Sequence, residues 1–109
     1  MKYLRPYFKA LCDDNRLEII ELLIEREHCI CELIDKLGLS QSTVSYHAKI
    51  LHNAGLIKVR YNRKSTYYSI DKEGFDRYAS YIEEKLFKPV AESVPVESPL
   101  FGKVCRTKG

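Results

Sequence analysis

The sequence predicts a mainly α chain carrying one β-hairpin, an α+β arrangement, and three observations support it. Apolar residues recur at helical spacing through most of the first 88 residues. Between Glu32 and Leu51 a short helical stretch, a glycine and a capped second helix follow one another. Two β-prone runs then flank Asn62-Arg63-Lys64.

Leu4, Tyr7, Phe8 and Leu11 fall at i, i+3, i+4 and i+7, an amphipathic helix from Tyr3 to Leu11 with Pro6 tolerated in its first turn. Asp13 is the expected N-cap of the next helix, with Asn15 and Glu18 as an alternative capping pair. That helix presents Leu17, Ile20, Leu23 and Ile24 and ends near Glu27. After His28-Cys29-Ile30-Cys31, a short helix from Glu32 to Leu37 buries Leu33 and Leu37, and Gly38 stops it as a C′ glycine does. Ser40 caps the following helix. Asn53-Ala54-Gly55 ends it, and Leu56 to Tyr61 with Ser65 to Ile70 form the hairpin. A last helix, Asp71 to Lys88, spaces Phe75, Tyr78, Ile82 and Leu86 as a stripe. The expected organisation is therefore one domain over residues 1–88 and a flexible tail, residues 89–109, punctuated by Pro89, Pro95 and Pro99.

At ~100° per residue, the helix after Ser40 divides into two arcs. Thr43, Val44, His47, Ala48, Ile50 and Leu51 form one; Gln41, Ser42, Ser45, Tyr46 and Lys49 form the other. The second arc has no carboxylate, unlike a solvated face built of Glu/Lys pairs, and suits phosphates and base edges. A short helix, a tight turn and such a helix make a helix-turn-helix, and the hairpin is its wing, with Arg60, Arg63 and Lys64 expected to reach the DNA backbone or minor groove. Charge agrees. Asp13 to Asp35 holds eight acids against two arginines, whereas Lys36 to Ile70 holds six bases and no acid, within a net charge of only +3. His47, on the apolar arc, is expected to be a hydrogen-bonded core histidine and His52 a surface residue. Cys12 is expected to be a small packing residue.

Composition excludes several classes. No apolar stretch approaches ~20 residues, so no membrane partner is expected. The first nine residues lack the apolar run of a signal peptide, and a cytoplasmic protein is expected, whose four cysteines are thiols or metal ligands rather than disulfides. No Ser/His/Asp set, Gly-rich phosphate loop or carboxylate pair indicates an enzyme. The two terminal helices are candidate dimer elements, packing Leu4, Tyr7, Phe8 and Leu11 with Tyr78, Ile82 and Leu86 across a two-fold, unless they close the monomer's own core.

From Phe8-Lys9-Ala10-Leu11 through Leu37 to His47, Ala54-Gly55-Leu56-Ile57 and the hairpin to Tyr68, the chain resembles the ArsR/SmtB family of winged-helix metalloregulatory repressors. The resemblance spans residues 3 to 88. It implies a homodimer that represses double-stranded operator DNA and releases it when an inducer binds. Cys29-Ile30-Cys31-Glu32-Leu33 is similar to the Cys-Val-Cys-Asp-Leu-Cys segment of the arsenic-type sensors, with Ile34 where the third cysteine would stand. The zinc-type site of other members needs Asp and His on the last helix; this one has no histidine, so that site is not carried over.

In an extended chain residues i and i+2 point the same way, whereas in a helix they diverge by ~200°. Cys29 and Cys31 can therefore share an ion only where the helix starts after Cys31 or unwinds. Soft thiolates suit As(III), Sb(III), Cd(II), Pb(II) or Cu(I), and Zn(II) too, and the resemblance to the arsenic-type sensors favours As(III) and Sb(III). Two donors leave the site incomplete. Cys105 is the expected third, with Cys12 and His28 as fallbacks. A cysteine-based redox or persulfide switch on the same fold, or a winged helix serving protein contacts alone, are the other readings.

Overall fold

The computed structural model describes residues 1–93. A 3-10 turn, Lys2–Leu4, leads into α1, Arg5–Leu11, with Pro6 in its first turn, where no N–H is required. Asp13 is extended, and its carboxylate accepts from the N–H groups of Asn15 and Arg16 at 2.9 and 3.2 Å, so α2, Asp14–Glu25, begins where the sequence indicates. Desolvation raises the Asp13 pKa, but the hydrogen bonds from Arg16 and Asn15 and the Arg16 charge outweigh it and hold it below its usual value.

The buried face of α2 differs from the one expected. Arg16, Ile19, Ile20 and Leu23 are buried, while Leu17 and Ile24 are 43% and 69% exposed. The cause is Arg16. Its Nε donates to the Ala10 carbonyl at 2.8 Å, Nη2 to the Lys9 carbonyl at 3.3 Å, and Nη1 to His47 Nδ1 at 3.0 Å. The inward guanidinium satisfies the Ala10 carbonyl, adds a second donor to the Lys9 carbonyl, which already accepts from the Cys12 N–H, and sets the rotation of α2. It also makes His47 an acceptor at Nδ1, so the core histidine expected from the pattern is buried and hydrogen-bonded.

Residues His28–Cys29 form β1, an unexpected strand that pairs antiparallel with β3, Ser65–Ile70, through His28↔Tyr68 and Cys29↔Tyr67. With β2, Ile57–Asn62, the sheet has the order β1-β3-β2, three strands where two were expected. Two residues are too short to show alternation, and their partner lies far along the chain. Helix α3, Ile30–Leu37, starts two residues earlier than expected because Cys29 is its N-cap and Glu32 reaches back to the Cys29 N–H at 3.0 Å. Leu33 is fully buried and Leu37 half-buried. Gly38 stops α3 at φ 68°, which favours glycine. The Ser40 hydroxyl accepts from Thr43 N–H at 3.2 Å and opens α4, Gln41–Asn53, which buries Val44, His47, Ala48 and Leu51.

Helix α5, Lys72–Ile82, continues through a π-helical turn, Glu83–Phe87, into α6, Lys88–Ser93. Pro89, where the tail was expected to begin, instead lies in the first turn of α6. By contacts the chain divides into a unit Met1–Tyr78 and a second starting at Ala79. Within the first, Tyr78 stacks on Tyr3 and Tyr7 with ring centroids 4.9 and 4.5 Å away, and its hydroxyl donates to the Ala54 carbonyl at 2.8 Å. Leu4 and Tyr78 are 3% and 5% exposed in the single chain. These two candidate dimer residues therefore close the protomer's own core; Phe8 remains 51% exposed, and Tyr7, Leu11, Ile82 and Leu86 are half-buried.

Gly74 is buried in the first turn of α5, where a Cβ would overlap the Gly55 carbonyl. Gly74→Ala is expected to lower stability by at least ~1–3 kcal/mol, since neither backbone can yield without moving α5. Arg16→Met is expected to cost about 2–4 kcal/mol, because it strips donors from the Ala10 carbonyl and His47 Nδ1 inside the core. Urea unfolding midpoints check both.

Candidate nucleic-acid interface and thiol pair

The helix that follows the Gly38 turn exposes the arc the sequence assigned to it. Gln41, Ser42, Tyr46 and Lys49 are exposed and Ser45 is half-buried. The Tyr46 ring meets the edge of His47 at 5.2 Å, so the aromatic side chain rests on the anchored histidine and projects outward. Beside this arc a cleft of about 480 Å³ separates α4 from the hairpin. Gln41, Ser45, Lys49 and His52 line it from the helix, Tyr61 and Lys64 from the wing. The Ser65 hydroxyl, on the wing side, is buried without a hydrogen-bond partner. His52, expected only as a surface residue, is exposed and belongs to this lining. Tyr61, 79% exposed, is a residue the sequence reading missed. Alternation was the available signal: Val59 and Tyr61 share one face of β2 and Arg60 takes the other.

Arg60, expected beside Arg63 and Lys64 in the DNA set, therefore stands on the sheet face turned away from the cleft. Its guanidinium lies 4.4 Å from the centre of the Tyr67 ring and meets both carboxylate oxygens of Glu27, at 2.8 and 3.2 Å. The mutual hydrogen bonds lower the Glu27 pKa and raise that of Arg60. Arg63 and Lys64, the two turn residues, are exposed, and Asn62 Oδ1 accepts from the Arg63 N–H at 2.7 Å.

The thiols lie at the other end of α3. Cys29 is half-buried, with extended φ −83° and ψ 160°; Cys31 is exposed within the first helical turn. The helix starts before Cys31, so the pair is not in the extended geometry that would aim both sulfurs the same way. Glu32, the residue after Cys31, bonds Arg26 at 2.8 Å as well as the Cys29 N–H. These hydrogen bonds, Arg26 first, pull its pKa down to about 2. His28 is fully buried: Nδ1–H donates to the Arg26 carbonyl at 2.9 Å and Nε2 accepts from Lys36 at 3.4 Å. The Arg26 carbonyl thus fixes the ring, with Nε2 turned toward Lys36. Cys12 is exposed at the bend after α1 instead of packed. Among the described residues no three His, Cys, Asp or Glu side chains cluster as metal ligands. Cys105 lies outside the described residues.

A short helix, an αL glycine and a second helix with a carboxylate-free outer arc, followed by a β-hairpin with a basic turn, define a winged helix-turn-helix of the DNA-binding class. Comparison with known proteins narrows the class. Residues 13–59 match the family described as "Bacterial regulatory protein, arsR family". The cadmium resistance transcriptional regulatory protein CadC homolog of Staphylococcus aureus is 38% identical over 81 residues, covering 73% of this chain and 64% of that protein, just under two thirds of its length. The arsenical resistance operon repressor of Staphylococcus xylosus is 36% identical over 85 residues, 78% of either chain. HlyU from Vibrio cholerae N16961 superposes with a TM-score of 0.63 at 26% identity, over 77% of this chain and 92% of that one. The chain belongs to the ArsR/SmtB family of winged-helix, DNA-binding transcriptional repressors. Among the described residues no helix is long and apolar enough to cross a membrane.

The Glu32 carboxylate gives a pH test. Its folded pKa lies below the usual 4.5, so its contribution to stability is full above that value and is lost as pH falls toward about 2. The gap in urea midpoint between wild type and Glu32→Gln is expected to narrow steadily across that window. A gap independent of pH would mean the ion pair with Arg26 does not hold the carboxylate charged.

Proposed function

We propose that this chain is a homodimeric repressor whose α4 helices read operator DNA, and that a thiophilic ion at Cys29 and Cys31 releases it. The observation that supports the DNA half is the cleft between the acid-free arc of α4 and the wing, rimmed by Lys49 and Lys64. Gln41, Ser42, Ser45 and Tyr46 face base edges, and Lys49, Arg63 and Lys64 face phosphates. The two-fold axis relates copies through the terminal helices and sets the reading helices ~34–36 Å apart. Such a regulator works in the cytoplasm.

The sensor half rests on two soft donors at the start of the helix that supports α4, and on relatives named for cadmium and arsenical resistance. A bound ion such as As(III) or Sb(III), or Cd(II), Pb(II), Zn(II) or Cu(I), supplies covalent-like bonds to thiolate. Cys29 is extended and Cys31 helical, so bringing both sulfurs together takes the first turn of α3 out of helical geometry. The Glu32 bond to the Cys29 N–H then opens, and the N-terminus of the supporting helix shifts beneath α4. A third donor is still required. Cys105 stands twelve residues beyond Ser93, a span of up to ~40 Å at ~3.3 Å each, and is the proposed one.

Fluorescence anisotropy on the protein's own upstream DNA tests each half. Gln41→Ala is expected to lose ~1–3 kcal/mol on the specific site and little on random duplex. Lys64→Ala is expected to weaken all duplexes and flatten the salt slope by roughly one unit. Cys29→Ser and Cys31→Ser are expected to bind DNA normally and to ignore arsenite and Cd(II). Release by oxidant or persulfide but by no soft ion would assign the cysteines to redox sensing.

A further inference from the structure

Cys29, Tyr67 and Arg60 occupy one row across the sheet. Cys29 pairs with Tyr67 and Tyr67 with Arg60, so all three side chains emerge on the same face, the one turned away from the cleft. β1 and β2 do not touch as strands; β3 lies between them. The Arg60 side chain crosses that gap. It lies over the Tyr67 ring and grips Glu27, the residue just before β1, through both carboxylate oxygens. The two outer strands are thus stapled over the middle one.

Strand β1 needs such a staple. It contributes only two residues to the sheet and forms its edge, so local opening there costs little. A half-buried thiol reacts faster with an alkylating reagent when its surroundings open. The opposite end of the staple is the strand leading to the Arg63-Lys64 turn.

We infer that Glu27 and Arg60 are positioning residues that couple the exposure of Cys29 to the occupancy of the wing, so that DNA held at the hairpin turn closes β1 over the thiol. By linkage the reverse holds: a change at Cys29 that lifts β1 pulls on β2 and loosens the wing. The mechanism needs no direct contact between Arg60 and DNA. It adds a second route from the thiols to DNA beside the one through α3, and it holds whether the thiols meet an ion or an oxidant. Lowered Glu27 and raised Arg60 pKa values agree with a formed pair. The inference rests on the DNA-binding reading above.

The test is iodoacetamide alkylation of the full chain, followed residue by residue by peptide mass spectrometry, with and without saturating duplex from its own upstream region. In wild type, DNA is expected to slow alkylation of Cys29 at least fivefold and to leave the exposed Cys12 unchanged. Glu27→Gln and Arg60→Gln are each expected to lose that protection while keeping wild-type DNA affinity and salt slope. The double variant should lose no more than either single one, because one contact is removed in all three. Arg60→Lys, which keeps a cation over Tyr67 but not the two-pronged grip, should fall between. Equal Cys29 rates with and without DNA in a wild type that binds DNA would overturn the coupling. Full protection retained in both Gln variants would overturn the staple as its route. A salt slope reduced by about one unit in Arg60→Gln would return Arg60 to the DNA contacts and overturn its assignment. Absence of any DNA binding in the anisotropy control would remove the DNA reading itself, and this inference with it.

Discussion

The Arg16 guanidinium is the contact on which the arrangement of helices depends. A buried cation is costly unless its donors are satisfied. Here they meet the Ala10 and Lys9 carbonyls and the His47 ring, on elements before and after α2. Three consequences follow. The Ala10 carbonyl at the end of α1 acquires a partner and the Lys9 carbonyl a second one. Helix α2 turns Ile19 and Ile20 inward rather than Leu17 and Ile24. The middle of α4 is fixed through His47, whose Nδ1 must remain an acceptor. A reading helix needs a defined rotation about its own axis, since ~100° separates one side chain from the next. An oriented hydrogen bond supplies that constraint, whereas apolar packing alone tolerates small rotations.

The sheet divides its work between two faces. Val59, Tyr61 and Tyr68 look toward α4 and build the cleft. Cys29, Tyr67 and Arg60 look away from it. One short sheet therefore carries both the surface suited to DNA and the residue suited to sensing, and its strand pairing connects them. The Glu27–Arg60 pair is exposed, and a lone surface ion pair contributes little to global stability. Its significance is positional, because it joins strands that share no backbone hydrogen bonds.

At the start of α3, helix stability would oppose the proposed ion binding. The Glu32 bond to Cys29 N–H and the Arg26 pair favour a formed first turn. The formed turn holds Cys31 in the helix while Cys29 stays extended as its N-cap. In the proposed sensor, ligation would favour an arrangement in which this cap is undone. Relatives named for cadmium and arsenical resistance are similar over this region, and this chain presents two thiols there, with Ile34 following.

Local chemistry was legible in the sequence. Asp13 and Ser40 as caps, Gly38 as a stop, the apolar arc of α4 and the hairpin around Arg63-Lys64 depend on residues within a few positions of one another, so pattern and capping chemistry determine them. Family membership followed from the same segments. Tertiary structure decided what depends on partners distant in sequence. It turned α2 so that Arg16 could reach His47, 31 residues on, and drew His28–Cys29 into the sheet against Tyr67 and Tyr68. It spent Arg60 on Glu27, 33 residues away, and brought His52 and Tyr61 to one cleft. The start of α3 lay between these extents. Glu32 was visible as a helix residue, but that it caps Cys29, and so leaves Cys31 inside the helix, depended on where the preceding strand docked. Charge and polarity are readable in one dimension; which charge meets which is settled only once the chain has packed.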